Sequence, residues 1–287
     1  MSRVATIGFF DGVHKGHQFL FNRLSALTEE RGLQPLIVTF ENHPRAVLQA
    51  DYIPQLLTTP EERKALLSAY GEVLMLPFET VQPLTAAQFM VKLHTEYNVS
   101  VLLMGYDHCF GSDRLKHPHE YHRIGEKIGV EVITLPEFTE GEMHVSSSEI
   151  RWALERGNIA VANDLLGRPY SLRGEVVHGK GLGRSLGFPT ANIQPEEAHK
   201  IIPKAGVYAV EVKGERLKVK GERLKGFCNV DPQGVIEVHM PDFKGDLYGQ
   251  KLEITFLRFL REEKHFSSLQ ELQEQIKADV DNSQHQE

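Results

Sequence analysis

Cysteine is scarce in this chain: its 287 residues hold two, Cys109 and Cys228, and one tryptophan. Two thiols are too few for a disulfide framework or a four-cysteine zinc site, and they fit a reducing compartment. No apolar run approaches the roughly 18–20 residues needed to cross a bilayer. The opening Met1-Ser2-Arg3-Val4-Ala5-Thr6-Ile7-Gly8 turns polar and glycine-bearing too soon for a secretory leader. An excess of positive charge is missing too. Lys and Arg number 32 against 39 Asp and Glu, a net charge of −7. That excludes the broad basic field of a binder of long nucleic acid and leaves room for a small basic pocket. The expectation is a cytoplasmic protein with neither membrane nor nucleic acid as partner. What the chain does have is apolar residues: at 41% hydrophobic it can bury a core, and its length argues for two domains.

The first half alternates strands and helices. Val4–Ile7, Leu36–Phe40, Val73–Leu76, Val101–Met104 and Glu131–Leu135 read as strands; His17–Glu30, Pro60–Ala69, Ala86–Tyr97 and His119–Ile128 read as helices. In the first helix Phe19, Leu20, Leu24 and Leu27 recur at helical spacing, and Thr58-Thr59 supplies candidate caps ahead of Pro60. This alternation predicts a parallel sheet covered on both faces, with ligands at the carboxyl ends of its strands. Near Gly167-Arg168-Pro169 the character changes. Tyr170–Val177, Val207–Val212, Gly226–Val230, Val235–His239 and Lys251–Phe259 are short strands broken by turn residues, the pattern of a small barrel or sandwich. A last helix starts at Ser268, with Glu271 completing a capping box, and runs to about Asp279. The two domains are therefore expected at 1–166 and 167–287.

VKGERLK occurs twice in succession, at Val212–Lys218 and Val219–Lys225. Seven is odd, so a paired strand that absorbed the extra copy would turn every later side chain to the wrong face. The extra copy is expected to lengthen a hairpin tip or to bulge out.

Between the first strand and the first helix lies Gly8-Phe9-Phe10-Asp11-Gly12-Val13-His14-Lys15-Gly16-His17. Glycines admit close backbone approach, and the helix start offers free N–H groups and a positive dipole end to an anion. His14 and His17 can add hydrogen bonds to a polyphosphate. Gly105-Tyr106-Asp107-His108-Cys109-Phe110-Gly111 follows the Val101–Met104 strand and so belongs at the same end of the sheet. Val145-Ser146-Ser147-Ser148-Glu149-Ile150-Arg151 opens a further helix with hydroxyls, backbone donors and a cation. Each has a plain structural alternative: a glycine turn with surface histidines, or an ordinary serine cap.

Together these stretches resemble a known family. GFFDGVHKGH is similar to the HxGH signature of nucleotidyltransferases. With Thr39–Pro44 (TFENHP), GYDHCFG and VSSSEIR it resembles the FMN adenylyltransferase half of bacterial bifunctional riboflavin kinase/FAD synthetases. The resemblance implies a Rossmann-like α/β nucleotidyltransferase domain that transfers AMP from ATP to FMN. It implies His14 and His17 as catalytic ligands of the ATP phosphates, and Ser147, Ser148 and Arg151 as a second phosphate-contacting motif. Asp107 falls near the nucleotide, and His43 near the flavin. Gly8, Phe9, Asp11 and Gly16 belong to the binding loop, in which Phe9 replaces a usual small residue or threonine. No side-chain nucleophile is needed, since FMN brings a phosphate oxygen; the protein must align two anions and offset their repulsion.

The second half carries Gly174–Asn192, in which Gly179, Gly181 and Gly183 precede Pro189-Thr190-Ala191-Asn192. Glycines at this density suit a flap that closes its backbone over phosphates; the spacing is not that of a P-loop. Thr190 and Asn192 offer neutral oxygens to a hard cation. The stretch resembles the riboflavin kinase signature, which implies a Greek-key β-barrel with Mg2+ and ATP at Thr190 and Asn192. It also implies Glu237 as general base toward the ribityl 5′-hydroxyl, with Arg261 lining the flavin site. The chain departs from that family after Asn229-Val230, where Asp231-Pro232-Gln233-Gly234 replaces a longer loop that helps wall the site. The implied substrates are riboflavin, FMN and ATP, handled by a monomer or weak homo-oligomer. The alternatives are a chain with FAD synthetase activity alone, a non-catalytic flavin-binding protein, and a generic adenylyltransferase.

Overall fold

The computed structural model describes residues 1–140, 143–179, 190–217, 223–262 and 271. Its contacts divide the chain into two compact units, Met1–Ser147 and Ser148–Glu287.

The first unit runs β1 (Arg3–Ile7), α1 (Lys15–Arg31), β2 (Gln34–Phe40), α2 (Pro44–Leu48), α3 (Pro60–Leu67), β3 (Glu72–Leu76), α4 (Phe78–Val81), α5 (Ala86–Tyr97), β4 (Val99–Met104), α6 (Pro118–Ile128) and β5 (Glu131–Thr134). A two-stranded ribbon follows, β6 (Thr139–Glu140) and β7 (Met143–His144). The five long strands are parallel in the order β3-β2-β1-β4-β5. Both faces are covered, as the unbroken apolar runs predict. Ala5, Ile7, Leu36, Val38 and Leu102 pack into one core with Phe89 and Leu93 of α5. Val4, Ile37, Val101 and Leu103 pack on the other side with Leu20, Leu24 and Leu27 of α1. Connections leave β1 on one side toward β2 and return to β4 on the other. The carboxyl ends of β1 and β4 therefore flank the point where strand order reverses, the place where such sheets open a crevice.

Capping sets the helix starts. His14 caps α1, so the helix begins at Lys15, two residues ahead of the apolar pattern. Thr59 and Glu62 form a reciprocal capping box with Pro60 in the first turn of α3.

The second unit takes in α7 (Ser147–Glu155) from Ser148 onward, and α8 (Ile159–Leu166). It continues with β8 (Tyr170–Val177), β9 (Thr190–Pro195), β10 (Gly206–Gly214), β11 (Leu224–Val230), β12 (Ile236–His239) and β13 (Lys251–Arg261). These strands close into an antiparallel barrel in the order β10-β11-β12-β9-β8-β13. The run β10-β11-β12 with β9 returning beside β12 is a Greek key. Alternation fills the interior: Leu172, Ile193, Tyr208, Val210, Val238, Ile254 and Phe256 point inward. Helices α7 and α8 group with this barrel, whereas the sequence changes character only at 167. Asn163 of α8 accounts for the attachment: its Nδ2 donates to the Phe256 carbonyl at 3.0 Å, and its Oδ1 accepts from the Tyr170 N–H at 2.7 Å.

Pairing between β10 and β11 is regular from Gly206↔Val230 to Val212↔Leu224. The duplicated heptad therefore adds to the connection 213–223 and leaves strand parity intact. Residues 218–222 of it lie outside the described residues, as does the C-terminal helix expected over Ser268–Asp279, apart from Glu271. Among the described residues no helix is long and apolar enough to cross a membrane.

Candidate active sites

The glycine loop after β1 is held in a costly shape. Phe10 and the β-branched Val13 both sit in the left-handed region, at φ 56° and 45°. The Asp11 carboxylate fixes it. Buried to 3% exposure, it accepts the N–H of Leu57 at 3.0 Å, the N–H of Thr58 at 2.9 Å and the Thr58 hydroxyl at 2.9 Å. Thr58 Oγ1 in turn accepts the Gly12 N–H at 3.1 Å. Asp11, expected in the binding loop, thus clamps that loop to the segment ahead of α3.

The clamp places the two histidines. His14 Nδ1 accepts the His17 N–H at 3.4 Å, which caps the helix and leaves the His14 ring proton on Nε2. The two rings stack with centroids 3.6 Å apart, and Phe10 meets His17 edge-on at 5.2 Å. A Cβ at Gly16 would lie 3.2 Å from the His14 ring and 3.3 Å from the Val145 carbonyl, so glycine lets the serine segment close on the loop. A Cβ at Gly8 would strike the Phe10 ring at 2.6 Å.

Ser147 donates its hydroxyl to the Asp11 carbonyl at 3.0 Å. Ser148 and Arg151 follow on α7. Asp107 lies exposed three residues past β4, at the carboxyl end of the sheet. His43 caps α2, its Nδ1 accepting the Arg45 N–H at 3.1 Å, and its ring meets the half-buried Phe9 at 4.7 Å.

In the barrel, register assembles the second site. Glu237 of β12 lies directly opposite Asn192 of β9 and Asn229 of β11. Two pairs further along, His239 lies opposite Thr190 and Phe227. The neighbours Ala191, Val238 and Cys228 point inward, so Thr190, Asn192 and Glu237 share the outer face. Gly179 lies against this row: a Cβ there would fall 2.1 Å from Asn192 Nδ2. Arg261, at the end of β13, pairs with Val207. Gly181 and Gly183 lie outside the described residues. A cavity of about 300 Å³ adjoins Thr190, walled by Val176, Met240, Phe243, Lys244 and Tyr248. His178 stacks on Tyr248 at 3.8 Å.

Sequence reasoning named none of the stretch around Phe243–Tyr248 as a site. It also missed β9, since Pro189-Thr190-Ala191-Asn192 reads as a turn; only the alternation of buried Ala191 and Ile193 with Thr190 and Asn192 marks a strand. The short Asp231–Gly234 turn is closed by Asp231, whose Oδ1 accepts the N–H groups of Gln233 and Val235, both at 2.8 Å. It joins β11 to β12 without disturbing the Asn229↔Glu237 register.

Comparison with known proteins falls on the same two units. A family model of FAD synthetase matches residues 1–149, and one of riboflavin kinase matches residues 166–286. The bifunctional riboflavin kinase/FMN adenylyltransferase of Escherichia coli K12 is 36% identical over 96% of this chain and 90% of its own length. That of Bacillus subtilis strain 168 is 35% identical with the same coverage. A crystal structure described as a macrolide-efflux protein from Streptococcus pneumoniae is 31% identical, with a TM-score of 0.88 over 100% of this chain and 95% of that one. With both units matched and the curated relatives aligned almost end to end, this chain belongs to the bifunctional riboflavin kinase/FAD synthetase family.

Proposed function

We propose that the chain phosphorylates riboflavin with ATP to give FMN, and then transfers AMP from a second ATP to FMN, releasing pyrophosphate and giving FAD. The observation that carries this reading is that each unit gathers its own set of groups for phosphate chemistry: stacked His14 and His17 at a helix start in one, and in the other Glu237 in register with Asn192 on the strand whose Thr190 lines a cavity.

In the kinase reaction Glu237 takes the proton of the ribityl 5′-hydroxyl as that oxygen attacks the γ-phosphorus, and ADP leaves. The cavity beside Thr190 is apolar and aromatic enough for the adenine, with the phosphates toward Thr190 and Asn192 and the backbone of Gly179 close beside them. Thr190 and Asn192 are neutral oxygen donors, a set that suits a hard cation arriving with its nucleotide. They would hold Mg2+, which when bound offsets charge on the phosphates.

In the adenylyl transfer an FMN phosphate oxygen attacks the α-phosphorus of ATP, and the bond to pyrophosphate breaks. His14 donates from Nε2, and His17 with the N–H groups of the α1 start supports the same phosphates. Gly8, Phe9 and Gly16 shape the cradle, Asp11 fixes it, and Ser147 and Asp107 contact the nucleotide. Phe9 and His43 form the flavin side. Two free thiols and a demand for ATP suit the cytoplasm.

The test is direct. The protein is incubated with riboflavin, Mg2+ and ATP, and the flavins are separated by chromatography. FMN and FAD are the expected products. FAD from added FMN alone would assign the chain to adenylyl transfer only; neither product would overturn both activities.

A further inference from the structure

Arg63 is the largest fully buried side chain among the described residues, at 0% exposure. It stands in the first turns of α3, behind the Thr59 cap. Its Nη2 donates to the Phe40 carbonyl, the last of β2, at 2.6 Å. Its guanidinium carbon lies 4.0 Å from the centre of the Phe9 ring. Nε and Nη1 are buried without a hydrogen-bond partner among the described residues.

Stability alone gives a poor account of an arginine here. A buried cation loses hydration, and orphaned N–H groups add to the loss. An apolar side chain of similar volume is often as good or better in such a place. Burial draws the guanidinium pKa down to about 10 while Asp11 pulls the other way, so the charge persists at neutral pH.

The placement explains what the arginine holds. Phe9 also meets His43, His43 lies 5.2 Å from Tyr52, and the Arg45 guanidinium covers Tyr52 at 4.4 Å. Three rings thus form a wall past the carboxyl ends of β1 and β2. Its inner member is fixed by a cation–π contact that is strong when desolvated. The same guanidinium pins the Phe40 carbonyl, three residues before His43, so one side chain ties both halves of the wall.

We propose that Arg63 is a positioning residue for flavin in the first unit, holding Phe9 and the end of β2 so that the Phe9–His43–Tyr52 wall is prebuilt for the flavin ring system. This rests on the adenylyl-transfer reading above. A wall ordered before binding spares the ligand the cost of ordering it, so the effect falls on FMN and leaves ATP alone.

The test uses Arg63→Met and Arg63→Lys in the full chain. FAD formation is measured with FMN varied at saturating ATP and then with ATP varied at saturating FMN, alongside thermal melts. For Arg63→Met, KM for FMN should rise about tenfold or more while KM for ATP stays within about twofold, and Arg63→Lys should recover part of the loss. Equal rises for both substrates, or a lowered melting temperature with KM for FMN unchanged, would overturn the proposal. If the Met variant does not fold, the Lys variant decides: an unchanged KM for FMN overturns the proposal, and a selective rise supports it. Failure of the underlying reading looks different. If the unaltered chain makes no FAD at all, equilibrium titration of FMN, followed by its fluorescence, still compares Arg63→Lys with the parent.

Discussion

The Ser147 hydroxyl donates to the backbone carbonyl of Asp11 at 3.0 Å, across 136 positions of sequence. One hydrogen bond therefore ties the serine motif to the glycine loop, and the same aspartate reaches Leu57 and Thr58 through its carboxylate. Three distant segments meet on one residue, and the histidine pair sits just beyond it.

That pair should be dispensable for one activity and essential for the other. His14→Ala combined with His17→Ala removes both imidazoles and the helix cap. FAD formation from FMN and ATP should fall by at least about a thousandfold, in line with the loss of transition-state donors. Riboflavin phosphorylation should stay within about twofold. Substantial FAD synthesis in the double variant would show that the phosphates lie elsewhere.

Asp11 should matter through the loop. Asp11→Ala strands the buried N–H groups of Leu57 and Thr58, at about 1–3 kcal/mol for each unsatisfied donor. Denaturant unfolding of the first unit should show a loss of about 3 kcal/mol, partly offset by relief of a buried charge, with FAD synthesis falling and FMN synthesis unchanged. A variant as stable as its parent would mean the clamp contributes nothing.

The kinase row allows a finer comparison. Glu237→Gln removes the proton acceptor while keeping shape, and Gly179→Ala forces a methyl group to 2.1 Å from Asn192 Nδ2. Both should cut FMN formation, by about a hundredfold or more for the glutamine variant, and neither should alter FAD formation from supplied FMN. If Gly179→Ala phosphorylates riboflavin normally, the kinase site does not need the close approach of Gly179 to Asn192.

Much of this was legible beforehand. Apolar runs such as Leu36–Phe40 gave the parallel sheet because strands buried on both faces need no alternation. The glycine loop, the serine motif and the Pro-Thr-Ala-Asn stretch marked the two candidate sites, because short motifs with fixed local geometry survive in sequence. What escaped was tertiary. Asp11 reads as a loop carboxylate until Leu57 and Thr58 are seen beside it. Arg63 reads as a surface cation on a charged helix, Pro60-Glu61-Glu62-Arg63-Lys64, until Phe9 and Phe40 are seen to enclose it. The parity of the duplicated heptad was foreseen from strand period alone, and the β10–β11 register agrees with it through Val212↔Leu224.

His108 gives the pH prediction. Its ring is half-buried, but Nε2 itself is covered and has no hydrogen-bond partner among the described residues. Burial pushes its pKa from 6.5 down to about 4, with Asp107 opposing weakly. The unfolded chain therefore binds a proton that the folded chain refuses in the interval between those values. Stability must fall as pH drops through it. At about pH 5 the loss from this group is about 2 kcal/mol relative to neutral pH. His108→Phe, which meets Phe110 as the imidazole does at 5.9 Å, should remove that dependence. Urea unfolding of parent and variant at neutral pH and at about pH 5 reads it directly: the parent should lose about 2 kcal/mol more than the variant. Equal losses in the two proteins would place the acid sensitivity on another group.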